Sequence, residues 1–569
     1  VLNIEGFNDG GESSVINANG HSLFSLDNAT TLNIDGVTLS NASGDAIKVS
    51  NLAELNLTNV LFENNGANAI SSFGNVNINA KDTDIAMSEN ISMTGDATNN
   101  ISLSLKAENG ALNLSNEISG SNYDLYLKGG DINVSGSISG ANNLEMASSV
   151  VLGLGTDARI NVNNMFQAQE TSMISTASTS APSLKIDANI ANDVLTTGSI
   201  DVNGDVSGTY NVIVNALSTE YASNASVFLT ALQADATTAS DFKVFRVENS
   251  PYVWETVLNA GGETEGSTWY LTMEKPLVEG AVAVVPEVIA SSGVTTSGLS
   301  QTNGMIYNIM RKVNVNQVYC PGCGFYDYNW DGKSLHNAWA DTTYNGLKIS
   351  APVDIEANVW GLDAGADIQQ NLNNKLGVFA SYRKGNYEMS GKGEKIYSTI
   401  GSEVDIDSYL AGLYYRFDKN NWYAFATIYG GLQNAEIKTD DGVKSDTDGT
   451  EFGASAEMGY QYALNRNWSL TPSLAAFYSQ IDYDDATDNA GKTVKYNSLK
   501  QVELEAGLKL AHTKYTLNGF YALHVKPSIV QTLVDGDEIN VEELGKVETV
   551  DNKTLGRIEV GGTYGFAEK

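Results

Sequence analysis

Along the first two hundred residues, apolar and polar positions alternate over short runs, and each run gives way to Asn, Gly, Ser and Asp. That pattern predicts short strands joined by corners that tolerate left-handed backbone. The runs recur. The stretch from Thr31 to Ile47 can be laid over Glu54 to Ile70, placing Leu32, Ile34, Val37 and Leu39 on Leu55, Leu57, Val60 and Phe62. LNLSNEISG from Leu112 resembles INVSGSISG from Ile132 in the same way. Offsets of roughly twenty residues belong to solenoid coils. One coil alone has an uncovered apolar face, and stacking buries it while pairing each strand with its copy above. A parallel β-helix is therefore expected over residues 1–198, with an antiparallel sandwich as the other reading.

From residue 199 to 275 the strands become longer and more aromatic, as in TYNVIVNAL, FKVFRV and STWYLTM, and would hide the last coil of the stack. Residues 276–335 form a linker, in which Ser, Gly and Thr precede better helix formers between Met305 and Val313. From residue 336 to 569, longer segments alternate large apolar with small or polar positions. In SYLAGLYYRF, Tyr409, Ala411, Leu413, Tyr415 and Phe417 share a face suited to lipid, while Leu410, Gly412, Tyr414 and Arg416 share one suited to a polar lumen. Asp418 to Asn421 make the turn into the next strand, and aromatics such as Trp422, Tyr460 and Trp468 stand near strand ends, as in interfacial girdles. A soluble barrel with an aromatic core is the alternative.

Composition sharpens this picture. No apolar run reaches the roughly 20 residues of a spanning helix, so membrane insertion would require a barrel. A net charge of −35 argues against a nucleic-acid partner. All seven Trp fall after residue 250, which separates two architectures. The sequence begins at Val1 without an initiator Met or a signal-peptide pattern, so any signal peptide is expected upstream or already removed.

Several stretches resemble the autotransporter family. FKVFRVENSPYVWETVL followed by GSTWYLTM resembles the end of autotransporter passengers, with Trp269, Tyr270 and Leu271 as the cap motif. VWGLDAGADIQQNLNNKLGVFASYRKGNYEMSG and GTEFGASAEMGYQYALNRNWSLTPSLAAFYSQIDYD resemble its barrel, where Glu457, Gly459, Tyr460 and Pro472 fall on the family's Glu, Gly-Tyr and Pro positions. The resemblance implies an all-β chain: a right-handed parallel β-helix passenger, a cap (199–275), a linker with a pore-threading helix, and an antiparallel transmembrane β-barrel. It also implies about twelve strands; about ten can be counted, the last being LGRIEVGGTYGF, so the barrel is expected to be truncated at its C-terminus. The implied surroundings are outer-membrane lipid, the barrel assembly machinery, periplasmic chaperones, and a ligand on a host or neighbouring cell.

Catalytic chemistry is not evident. The four His lie in no zinc-protease motif, and acidic pairs such as Asp484 and Asp485 sit in turn-like sequence. No catalytic, cofactor or metal site is expected. Cys320 and Cys323 have the spacing of a redox pair or half a zinc site; a local disulfide is expected, with free thiols or an unrecognised metal as the other readings. Family members that cleave themselves in the pore helix carry adjacent Asn residues. Asn308, Asn314 and Asn316 are not adjacent, so the passenger is expected to stay attached. Two functions follow: a surface-displayed adhesin, or the stalk and translocator of a secreted enzyme whose catalytic domain lies upstream of Val1.

Overall fold

The computed structural model describes residues 1–6, 14–96, 98–168, 181–218, 224–231, 241–260, 267–273, 277–278, 281–315, 318–320, 324–326, 338–350, 353–370, 373–390, 396–398, 400–516, 519–535, 538–541, 544–549 and 554–566. The chain divides into two compact units, Val1–Lys275 and Pro276–Lys569.

In the first unit the repeated runs stack in parallel register. Leu32 lies beside Leu55, Ile34 beside Leu57 and Leu39 beside Phe62, and Leu112 and Ile118 meet Ile132 and Ile138. Each inward side chain thus lands on an equivalent below it and loses its contact with water. The corners use residues that accept positive φ: Gly36 and Asn59 at one, Asn41 and Asn64 at another. On the outer face, Asn33, Asn56 and Asn77 form a ladder: Asn33 donates to Asn3 at 2.6 Å, Asn56 to Asn33 at 2.8 Å and Asn77 to Asn56 at 2.7 Å. Asn56→Ala removes two of these rungs and is expected to lower the passenger's unfolding free energy by about 1 kcal/mol, measured by urea titration. An unchanged midpoint would show the ladder to be ornamental.

The stack ends by changing pairing mode. Ser226–Ala231 and Glu255–Ala260 both run antiparallel to Ser267–Thr272. Beneath them an aromatic column replaces the aliphatic core: Phe166, Tyr210 and Phe242 lie 4.8 Å apart in succession, and Trp269 meets Phe242 edge-on at 5.3 Å. Trp269 and Leu271 point inward and are buried, whereas Tyr270 between them is only partly covered.

Among the described residues, the second unit contains one long helix, α1 (Pro286–Val315), and ten long strands: β1 (Ala338–Ser350), β2 (Asp354–Gln370), β3 (Asn374–Ser390), β4 (Ser402–Lys419), β5 (Trp422–Thr439), β6 (Lys444–Tyr460), β7 (Trp468–Tyr483), β8 (Leu499–Thr516), β9 (Gly519–Asp535) and β10 (Thr554–Phe566). Each pairs antiparallel with the next. No register joins β1 to β10 among the described residues. The curled sheet is a barrel with two contrasting faces: on β4, Leu410, Tyr414 and Arg416 are buried inside while Tyr409, Leu413 and Tyr415 are exposed outside. This is the alternation read from the sequence. None of the described helices is long and apolar enough to cross a membrane, and α1 runs inside the barrel instead.

Candidate functional site

The lumen, filled by α1, is where this molecule's polar chemistry is concentrated. Pro286 opens the helix where a missing amide proton costs nothing. The following Ser, Thr and Gly residues are poor helix formers in isolation, but the barrel wall encloses them almost completely. Buried hydroxyls turn back to helix carbonyls, Ser292 to Ile289 at 2.7 Å and Thr302 to Gly298 at 3.2 Å.

Halfway along, Gln301 reaches two wall strands, donating to the Ser408 hydroxyl at 2.8 Å and the Ile406 carbonyl at 3.2 Å, and accepting from the Tyr387 hydroxyl at 2.7 Å. The next residue, Thr302, points to another part of the wall and bonds the Glu451 carboxylate, which also accepts from Gln433 at 2.9 Å. Gln433 donates to Thr302 at 2.9 Å and accepts from Tyr483. Gly298 makes this approach possible, since a Cβ there would overlap the Tyr483 hydroxyl and the Gln433 amide oxygen. Below this point the helix divides into two faces. Met305, Ile306, Ile309 and Met310 enter an apolar cluster with Phe379, Leu410, Phe425 and Phe477. The Tyr307 ring borders that cluster at 4.7 Å from Phe477 while its single hydroxyl proton is shared between Glu503 at 2.7 Å and Glu505 at 2.5 Å, with the Arg557 guanidinium 4.1 Å from its ring centre.

Charged pairs line the wall on either side. Asp363 takes both arms of Arg383 at 2.7 Å in full burial. Arg416 grips Asp418 at 2.8 and 2.9 Å. Lys526 bridges Glu457 at 3.2 Å and Glu505 at 2.9 Å, and Arg311 from the helix meets Glu559 at 3.1 Å. Apart from Arg311, whose side chain stays half exposed, these charges are largely removed from water and persist there only when partnered.

At the opposite end, the barrel's longer connections clasp the chain where it enters α1. Ala281–Ala283 pairs in parallel with Ile396–Tyr397, from the β3–β4 connection. Segments from the β7–β8 and β9–β10 connections form a four-stranded sheet. From the first of these, Lys492 ion-pairs with Glu287 at 2.5 Å, each side chain 4% exposed. From the second, the Thr549 carbonyl accepts from Thr296 at 2.6 Å.

The residues singled out in the sequence are distributed as follows. Glu457 points inward and accepts from Tyr423 at 3.1 Å as well as from Lys526. Gly459 lies under the Tyr423 ring, where a Cβ would clash, and Tyr460 stacks edge-on with Trp422 on the outer rim. Pro472 faces outward in β7, opposite Leu508. Asn308 lies in α1 with a buried amide nitrogen that meets no hydrogen-bond partner among the described residues; Asn314 is in the helix, and Asn316 lies outside the described residues. Cys320 ends the short strand Val318–Cys320, and Cys323 lies outside the described residues. Sequence reading did not single out Gln301, Gln433, Glu451, Tyr483 or the Glu287–Lys492 pair. The Thr302–Glu451 contact spans 149 residues, and Glu287 and Lys492 stand further apart still along the chain.

Residues 338–569 match the autotransporter beta-domain family model. Among curated proteins, the autotransporter adhesin/invasin TibA of Escherichia coli is 25% identical over 166 residues, covering 28% of this chain and 17% of that protein. Esterase EstA of Pseudomonas aeruginosa is 23% identical over 167 residues, covering 27% and 25% respectively. The matched stretches thus span a quarter or less of those relatives. The crystal structure of the transport unit of AIDA-I from Escherichia coli superposes with a TM-score of 0.34 and 15% identity, over 42% of this chain and 81% of that one.

Proposed function

With residues 338–569 an autotransporter β-domain in the outer membrane of a Gram-negative bacterium, translocating a passenger to the cell surface, we propose that this passenger is an adhesive stalk that remains joined to its barrel. The observation that carries the attachment is the lumen itself. Gln301 and Thr302 are tied to β4, β5 and β6 through buried side chains, so the chain that delivered the passenger is also its tether. A stack of coils supplies reach, and its ladders of polar side chains offer an extended rather than a pocketed surface. The adhesin/invasin TibA is a relative of matching kind. Outer-membrane lipid, the barrel assembly machinery and periplasmic chaperones complete the proposed surroundings.

The likeness to an esterase supports the second reading, a translocator serving a catalytic domain upstream of Val1. Cells displaying the chain should adhere to one another or to host-cell layers more than cells whose passenger is deleted, with no passenger in the medium ending between Gly304 and Gln317. Equal adhesion together with surface ester hydrolysis would favour the second reading, and a released passenger would remove the tether.

A further inference from the structure

The outside of the barrel carries a hollow that neither the lumen nor the passenger explains. It occupies about 670 Å³ across β6 to β9 and is bounded by Met458, Pro472, Leu474, Leu508, Pro527 and Ile529. The prolines account for it. Pro527 cannot donate to a ladder, and the β8–β9 register passes from Gly507–Ser528 to Leu510–Val525 without the pairs between. On the other side of the same row, the β6–β7 ladder stops at Gly459–Ser473 and resumes as Tyr462–Leu470. Pro472 pairs opposite Leu508, so two interrupted ladders flank one row. The sheet is hollowed there, and the exposed side chains bordering it, Leu474, Ile529 and Met458, are apolar.

The hollow lies toward the short-turn end of the barrel, which in such proteins faces the periplasm. Its rim is aromatic: the Trp422, Tyr460 and Tyr462 rings follow one another at 5.0 and 4.5 Å. Beyond the rim stand exposed cations, Arg466 in the β6–β7 turn and Lys514 on the outer face of β8. The backbone joins their neighbours, the Thr513 amide donating to the Asn467 carbonyl at 2.7 Å. Asp418, at the end of β4, is turned inward and held by Arg416. The contrast with the other end is large. There the outer face carries Glu388, Asp405, Glu436, Asp446, Asp448 and Asp482, of which Asp405 and Glu436 share Lys438. In a chain of net charge −35, this edge is a local region of positive charge.

We propose that the hollow seats an acyl chain of an anionic phospholipid from the inner leaflet, with Arg466 and Lys514 holding its phosphate. Apolar side chains match the acyl chain, the aromatic rings match the glycerol level, and paired cations select anionic over zwitterionic headgroups.

The test uses the purified chain in phosphatidylcholine vesicles containing a minor fraction of either phosphatidylglycerol or phosphatidylcholine with brominated acyl chains, which quench nearby tryptophan. Subtracting a Trp422→Phe chain isolates Trp422. Brominated phosphatidylglycerol is expected to quench it roughly fivefold more effectively per molecule than brominated phosphatidylcholine. Arg466→Gln with Lys514→Gln should abolish that preference, and Ala506→Phe, which crowds the hollow, should reduce quenching by both lipids. Equal quenching by the two lipids, or a preference surviving the double substitution, would overturn the proposal. Because Arg466 and Lys514 sit on the exposed surface, their loss leaves the barrel intact, which its resistance to unfolding in detergent would verify.

Discussion

Gly298→Ala is expected to loosen the seat of α1 and let the barrel leak, while Gly304→Ala, six residues further on, is expected to tighten it. The two substitutions add the same methyl group to the same helix. At Gly304 the new carbon meets nothing within 4 Å, so only helix propensity changes, favouring Ala by up to about 1 kcal/mol. At Gly298 it would enter the space of Tyr483 and Gln433, two members of the network holding Thr302 and Glu451. Overpacking of this kind costs about 1–3 kcal/mol, and each hydrogen bond displaced leaves a polar group buried without a partner. A shift of that size raises the unseated population roughly 5- to 150-fold. Conductance across a planar bilayer, and sensitivity of cells to a bulky hydrophilic antibiotic, should both rise for Gly298→Ala and stay at or below the parent level for Gly304→Ala. Matching responses from the pair would refute a seat defined at Gly298.

Lys492→Met should open the extracellular clasp, and adding Glu287→Leu should close it again. The single substitution abandons a carboxylate that is 4% exposed, a situation that costs about 3–5 kcal/mol. The double substitution replaces both charges by apolar groups of similar volume, which is often neutral or stabilising. Protease cleavage within 484–498 on intact cells reads the difference: roughly a hundred- to a few-thousandfold faster for Lys492→Met, and near the parent rate for the pair. If both chains are cleaved equally fast, the ion pair is not what holds the clasp.

Much of the architecture could be read locally. The coils announce themselves because stacked strands need matching residues at matching offsets, which is why Leu39 falls on Phe62 and Leu112 on Ile132 in both the sequence and the register. The two faces of β4 are legible because side chains alternate with a period of two. The lumen is less accessible to such reading. Gln301 is an unremarkable polar residue in a Ser- and Thr-rich segment until the wall brings Ser408 and Tyr387 to it from 107 and 86 residues away. Glu457 could be singled out by family resemblance, but its joint hold on Tyr423 and Lys526 depends on β5 and β9 curving toward one another. Buried polar residues at inward positions, such as Gln433, Glu451 and Glu505, were the available hint that something polar fills the barrel. Periodicity marks such positions without saying what they meet.

The parallel pairing of Ala281–Ala283 with Ile396–Tyr397 bears on how the tether takes load. Tension on a surface passenger reaches this strand before it reaches α1, and the component along the strand loads its two register pairs in shear instead of peeling them one after another. Shear of that kind shares tension among all the bonds, and only after they fail does the pull reach the side chains that lock α1. The clasp would then act as a sacrificial fuse, yielding and re-forming under gusts of force while the helix beneath it stays seated.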